Sequence, residues 1–222
     1  MESNDFIVTP YNGKIYLYGE KHGVKKTINE EFTIWNEHYE SGMRHLFIET
    51  AYFTAEYLNL WMGDEEDVRL YEVYSDWEGT ASHNPYILNF YKRIKKTCPE
   101  TIFHGTDVGH QYFSTGLRYL NYLEKNGLSE SENYKITKHV IDQGSQYYNS
   151  NNDIYRENKM VENFIRELHS VDHEHIMGIY GTAHTNLNKK DFTRSIPCMA
   201  SQLNSIYDGQ VFSVDLSKAY RK

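Results

Sequence analysis

The chain has 222 residues, enough for a sizeable hydrophobic core, with 39% hydrophobic residues and a net charge of -8. An acidic chain of mean hydropathy -0.72 with no dense basic cluster is not built to bind nucleic acid, and no stretch approaches the 18 apolar residues of a membrane span. Two cysteines, Cys98 and Cys198, make neither a disulfide framework nor a metal-type spacing, and Met1-Glu-Ser-Asn-Asp5 opens without the apolar run of a signal peptide, so a cytoplasmic protein is expected.

Lys14-Ile-Tyr-Leu-Tyr18 reads as the first strand, and it runs into the turn Gly19-Glu20-Lys21-His22-Gly23. Thr27 then stands as an N-cap with Glu30 three residues on, a capping box, and Ile28, Phe32, Ile34, Trp35 and Tyr39 give helical spacing up to about Gly42. His45-Leu-Phe-Ile-Glu-Thr50 is a short buried strand ending on Glu49, followed by a helix from Ala51 to Leu60. Residues 61–83 are polar, charged and aromatic without a clear period.

Asn84-Pro85 starts a further helix with Ile87, Leu88, Tyr91 and Ile94 on one face, and Cys98-Pro99 breaks it. Thr101 to Thr106 is a third strand with Asp107 at its end, where an N-capping role for the next helix competes with a functional one. Residues 112–126, 131–148 and 153–169 read as helices, with Gly127 as the C′ residue of the first. Glu174 to Gly181 is a fourth strand leading to Thr182-Ala-His184, a short helix lies near 197–205, and Gln210 to Asp215 is the last strand.

Strands alternating with helices predict a single α/β domain over 1–222, a mainly parallel β-sheet flanked by helices. In such sheets ligands sit outside the carboxyl ends of the strands, and here those ends carry Glu20 and His22, Glu49, Asp107 and His184. A carboxylate directly after Leu46-Phe-Ile48 needs a partner, because burying it alone is costly. Arg156, Met160 and Asn163 share a helix face at i, i+4 and i+7, so an inward Arg156 can neutralise clustered carboxylates or bind an anionic intermediate. Gly19 to His22 and Gly181 to His184 repeat one Gly-x-x-His spacing, which would bring two imidazoles to one pocket. Such a set suits water activation by a general base, or a His/carboxylate metal site. His104 and His175 read as structural residues within or beside strands.

The order of these motifs resembles the erythromycin esterase-like proteins, of the wider EreA/ChaN-like group that also includes the TraB and TIKI proteins. The resemblance runs from Gly19 to His184 and rests on Gly-Glu-x-His-Gly, a strand-ending Glu, Gly-Thr-Asp, Arg-Glu-x-x-Met and a late Gly-x-x-His. It implies a pocket lined by Glu20, His22, Glu49, Asp107, Arg156, Glu157, Met160, Asn163 and His184. His22 would be the base that activates water, oriented by Glu20 or Glu49; Arg156 would stabilise the oxyanion, and His184 would complete the site as acid or second base. Asp107, Met160, Asn163 and Glu157 would contact substrate. The chain departs from the esterase pattern in having one residue between Glu20 and His22, and Glu157 in place of Asp.

The expected function is hydrolysis of an ester or amide in a small-molecule or peptide substrate. Glu20, His22, Glu49 and His184 are the expected ligands if a divalent metal (Mn, Co, Zn or Fe) is bound. Two alternatives stand beside it: a metal- or haem-binding protein without turnover, as in ChaN-like members, and an inert interaction module such as a piece of a toxin.

Overall fold

The computed structural model describes residues 11–172 and 174–218; the acidic opening segment Met1 to Asp5 lies outside them. The described residues form a five-stranded sheet in the order β3-β2-β4-β1-β5, with all neighbouring strands parallel. The strands are β1 (Ile15–Glu20), β2 (His45–Ala51), β3 (Ile102–Asp107), β4 (Ile176–Gly181) and β5 (Val211–Asp215). Each of the five predicted strands is present.

The α-helices are α1 (Lys25–Glu40), α2 (Tyr52–Met62), α3 (Val68–Asp76), α4 (Pro85–Thr97), α5 (Leu117–Lys125), α6 (Glu132–Ser150), α7 (Asp153–His169) and α8 (Met199–Ile206). The expected capping box is absent: α1 starts earlier, Val24 caps it without a side-chain bond, and Thr27 is buried inside the helix. Packing against the sheet outweighed a local cap of about 1 kcal/mol. The stretch 61–83 holds α3, whose stripe of Leu70 and Val73 is too short to show a period in the sequence. The expected helix 112–126 is split into a π-helical turn, Tyr112–Gly116, and α5. That turn follows Gln111, which sits at φ 55° in the left-handed region.

Side-chain alternation along the strands separates two cores. Phe32 and Trp35 of α1, Leu46 and Ile48 of β2, and Met177 and Ile179 of β4 pack with α2 to α6 on one face. Ile15 and Leu17 of β1, Phe47 of β2, Ile176 and Tyr180 of β4, and Met160, Phe164 and Leu168 of α7 pack with α8 on the other. The parity fixes where polar strand-end residues point. Glu20 shares a face with Tyr16 and Tyr18 and looks toward α1, whereas Glu49 shares one with Phe47 and looks toward α7. The chain finishes β3 and returns to insert β4 between β2 and β1, so the carboxyl ends of β1, β4 and β2 stand side by side. No helix among the described residues is long and apolar enough to cross a membrane.

The loop after β3 lies directly on α6. A Cβ added at Gly144 would stand 2.1 Å from the Gly109 carbonyl oxygen. Gly144→Ala is therefore expected to cost about 1–3 kcal/mol, through an overpacked contact that backbone must yield to. Urea unfolding of both proteins checks this, and an unchanged midpoint would show that the loop does not press on the helix.

Candidate active site

Strand pairing brings the strand-end residues together. Glu20 of β1 is in register with Gly181 of β4, and Ala51 of β2 with Asp107 of β3. β2 is irregular between Ile48 and Ala51, around Glu49, and the Glu49 Oε2 accepts a 2.6 Å bond from the Gly181 backbone N–H. The turn after β1 then folds His22 back so that its Nδ1 lies 2.8 Å from Glu20 Oε1. Its Nε2 lies 4.0 Å from Glu49 Oε2. A Cβ at Gly181 would meet His22 Nε2 at 2.8 Å, so a larger residue there would displace the imidazole.

Arg156, on the first turns of α7, supplies the positive charge. Its Nη2 donates to Glu49 Oε1 at 2.8 Å and to Asp107 Oδ2 at 2.5 Å, and its Nε donates to Asp107 Oδ1 at 3.0 Å. The planar fork matches two carboxylates at once, which a lysine could not do. His110 Nε2 lies 3.2 Å from Asp107 Oδ2, and its Nδ1 lies 2.6 Å from the Tyr148 hydroxyl. Behind Glu49, His184 Nε2 stands 3.6 Å from Oε1, and its Nδ1 is bonded to Glu157 Oε2 at 2.7 Å. Glu157 Oε1 in turn accepts the Met199 N–H at the start of α8, 2.5 Å away.

Charge neighbours set the protonation of each group. Burial alone would raise the Asp107 carboxyl, but Arg156 and His110 hold it far below the usual carboxylate range. Burial also works against Glu49, and His184 and Arg156 overcome it, so Glu49 is ionised. His22 is pushed up to about 9, chiefly by its hydrogen bond to Glu20 and against a desolvation penalty, with Glu49 adding to the rise. For His184 burial favours the neutral ring, yet Glu49 and Glu157 raise its pKa above the ordinary imidazole value.

These strand ends border a cavity of about 320 Å³. Of the sequence-expected residues, Glu20, His22, Glu49, Asp107 and Arg156 line it. His184 and Glu157 sit buried behind Glu49. Met160 is fully buried in the α7 core, and Asn163 is buried with its amide donating to the Asp107 carbonyl oxygen and to Gln143. The structure thus puts five of the nine on the cavity wall, sets His184, Glu157 and Asn163 behind it through hydrogen bonds, and leaves Met160 in the core. Asp107 caps no helix, since a loop follows it.

Several wall residues went unread in the sequence. Trp77, Phe90 and Tyr91 form an apolar side, His110 and Tyr148 part of the rim, and Glu31 a buried acidic corner. Glu31 did leave a signal: it falls among Ile28, Phe32 and Trp35 on the apolar stripe of α1, where a carboxylate is out of place.

Of the four expected metal ligands, Glu49 already has both oxygens accepting hydrogen bonds from the protein, from Arg156 and from the Gly181 N–H. Among the described residues no group of three or more His, Cys, Asp or Glu is arranged to hold a metal ion.

No protein-family model matches the sequence, and no curated protein does. The fold has solved counterparts. An erythromycin esterase, EreC, with a histidine replaced by asparagine and in its open conformation, is similar at a TM-score of 0.64 and 10% identity, over 92% of this chain and 70% of that one. A protein from Bacillus cereus is similar at a TM-score of 0.60 and 12% identity, over 92% of this chain and 65% of that one. The α/β architecture is therefore one seen in an erythromycin esterase. At such identities the likeness is one of fold, and this chain spans only about two thirds of the Bacillus cereus protein.

Replacing Arg156 by Met would leave Glu49 and Asp107 buried with their shared cation gone, at a cost of about 3–5 kcal/mol. The low folded-state pKa of Asp107 stabilises the fold fully above its unfolded value of about 3.9, and that stability is lost as pH falls below it. The gap between wild type and Arg156→Met in urea titrations should accordingly be widest above about pH 5 and narrow toward about pH 3. A pH-independent gap would show that Arg156 stabilises by packing and not by charge.

Proposed function

We propose that this chain is a hydrolase that cleaves an ester or amide in a small-molecule or peptide substrate, with His22 as the group that takes a proton from water. The observation that carries this reading is the 2.8 Å bond from His22 Nδ1 to Glu20 Oε1, on the wall of an open, partly aromatic cavity. That bond fixes the hydrogen on Nδ1, so the neutral ring presents the lone pair of Nε2. The fold shared with an erythromycin esterase supports the reaction class.

The steps follow from the groups in place. Neutral His22 accepts a proton at Nε2 as the water oxygen attacks the substrate carbonyl carbon. The imidazolium that forms is stabilised by Glu20 and Glu49, the same carboxylates that raise its pKa. The oxygen of the tetrahedral intermediate takes hydrogen bonds from Arg156, whose guanidinium lines the cavity. His22 then returns the proton to the departing alkoxide or amine. Collapse of the intermediate releases a carboxylic acid and an alcohol or amine. His184 and Glu157 act from behind the wall: they keep Glu49 charged and in place.

A base with a pKa of about 9 sets the pH dependence. His22 is protonated and idle below that value, so kcat/KM on an active ester or peptide should climb with pH and level off above about 9. Glu20→Gln removes the largest cause of the raised pKa, and the inflection should move toward the ordinary imidazole value of about 6.5. His22→Gln should lower kcat/KM by roughly 10²–10⁴-fold. Turnover that survives His22→Gln unchanged would show that another group activates the water.

A further inference from the structure

One buried polar contact beside the site has no partner of the ordinary kind. Glu20 Oε2 and Glu31 Oε1 are both buried, and neither has a conventional hydrogen-bond donor. Glu31 is 2% exposed, sits on the sheet-facing side of α1 and lies within side-chain hydrogen-bonding reach of Glu20. Two ionised carboxylates cannot share such a place, because neither would have a donor and their like charges would face each other in a low dielectric. One proton between them resolves both problems.

We propose that Glu31 is held as a carboxylic acid that donates a hydrogen bond to the Glu20 carboxylate, which makes it a positioning residue for the Glu20–His22 pair. The chain of contacts then runs from Glu31 O–H to Glu20, and from Glu20 Oε1 to the Nδ1–H of His22. Glu20 keeps its full negative charge and a single orientation, with one oxygen tied to α1 and the other to the imidazole. Burial and the Glu20 charge both raise the Glu31 pKa well above the carboxylate range, in accord with this arrangement. The other titratable groups close to the pair are Tyr91 of α4, facing both carboxyls, and Glu49 and Arg156, which reach His22 from β2 and α7. Tyr91 is itself pushed above its ordinary range by burial and by both glutamates, so it stays neutral through neutral pH.

The role assigned to Glu31 rests on the reading of His22 as the base, but its test needs no substrate. The measurement is the titration of His22 by NMR on histidine-labelled protein, in wild type, Glu31→Gln and Glu31→Met. Wild type should titrate at about 9. Glu31→Gln keeps a donor to Glu20 and should hold that value within about half a unit, whereas Glu31→Met removes the donor and should lower it by about one unit or more, a tenfold change in proton affinity. An infrared protonated-carboxyl band should also be present in wild type and missing in Glu31→Gln, which reports on Glu31 even if Glu31→Met does not fold.

A His22 value that is the same in Glu31→Met as in wild type, or that falls as far in Glu31→Gln as in Glu31→Met, overturns the proposal. So does the absence of that infrared band in wild type, since the pair would then be held by a cation and not by a proton. If the titrations behave as expected while no ester or peptide is cleaved, the hydrolase reading fails and the positioning role of Glu31 stands.

Discussion

One guanidinium holds the strand ends together. Arg156 comes from α7, yet its bonds fall on Glu49 at the end of β2 and on Asp107 at the end of β3. Two carboxylates from neighbouring strands would repel each other at the edge of a buried layer, and the sheet could not close over them without a shared cation. The other contacts of the site depend on this tie. Glu49, once charged and fixed, accepts the Gly181 N–H and draws His184 toward it; Asp107 does the same for His110. The geometry of three strands and one helix is locked here by charge as well as by apolar packing.

The two faces of the sheet divide the work of the site. On the α7 side, the buried Glu157 and His184, with Arg156 between them and the cavity, form a scaffold that sets charge and position. On the α1 side, Glu20, His22 and Glu31 border the cavity, together with the aromatic wall of Trp77, Phe90 and Tyr91. Gly181 is the hinge between these halves. Its N–H binds Glu49, and its missing side chain leaves the room that His22 occupies. The strand residue least able to do chemistry is thus the one that allows two chemical groups to meet.

Much of the fold was legible because the chain follows its periods closely. Buried strands read as short apolar runs, and α4 and α7 as one-sided stripes, because the sheet demands just those patterns. What could not be read was governed by contacts distant in sequence. Thr27 looked like a cap, but α1 gains more from packing Ile28 and Trp35 than from a capped end. Helix α3 has too few turns to show its stripe, and the π-helical turn at 112–116 leaves no local mark.

The site divides in the same way. The sequence by itself determined the chemical inventory: carboxylates and imidazoles at the ends of apolar strands, glycines beside them, and an inward arginine on a helix. Alternation along strands and helices is a local property, so it places such residues at one end of the sheet without knowledge of the rest. Only the tertiary structure decided which of them share a wall. Insertion of β4 between β1 and β2 set Gly181 against Glu20 and Glu49, put His184 behind the wall and sent Met160 into the core. It also brought Glu31, on another element, against Glu20. Strand order and through-space contact are not encoded in any one segment, because they arise from the combined burial of all of them.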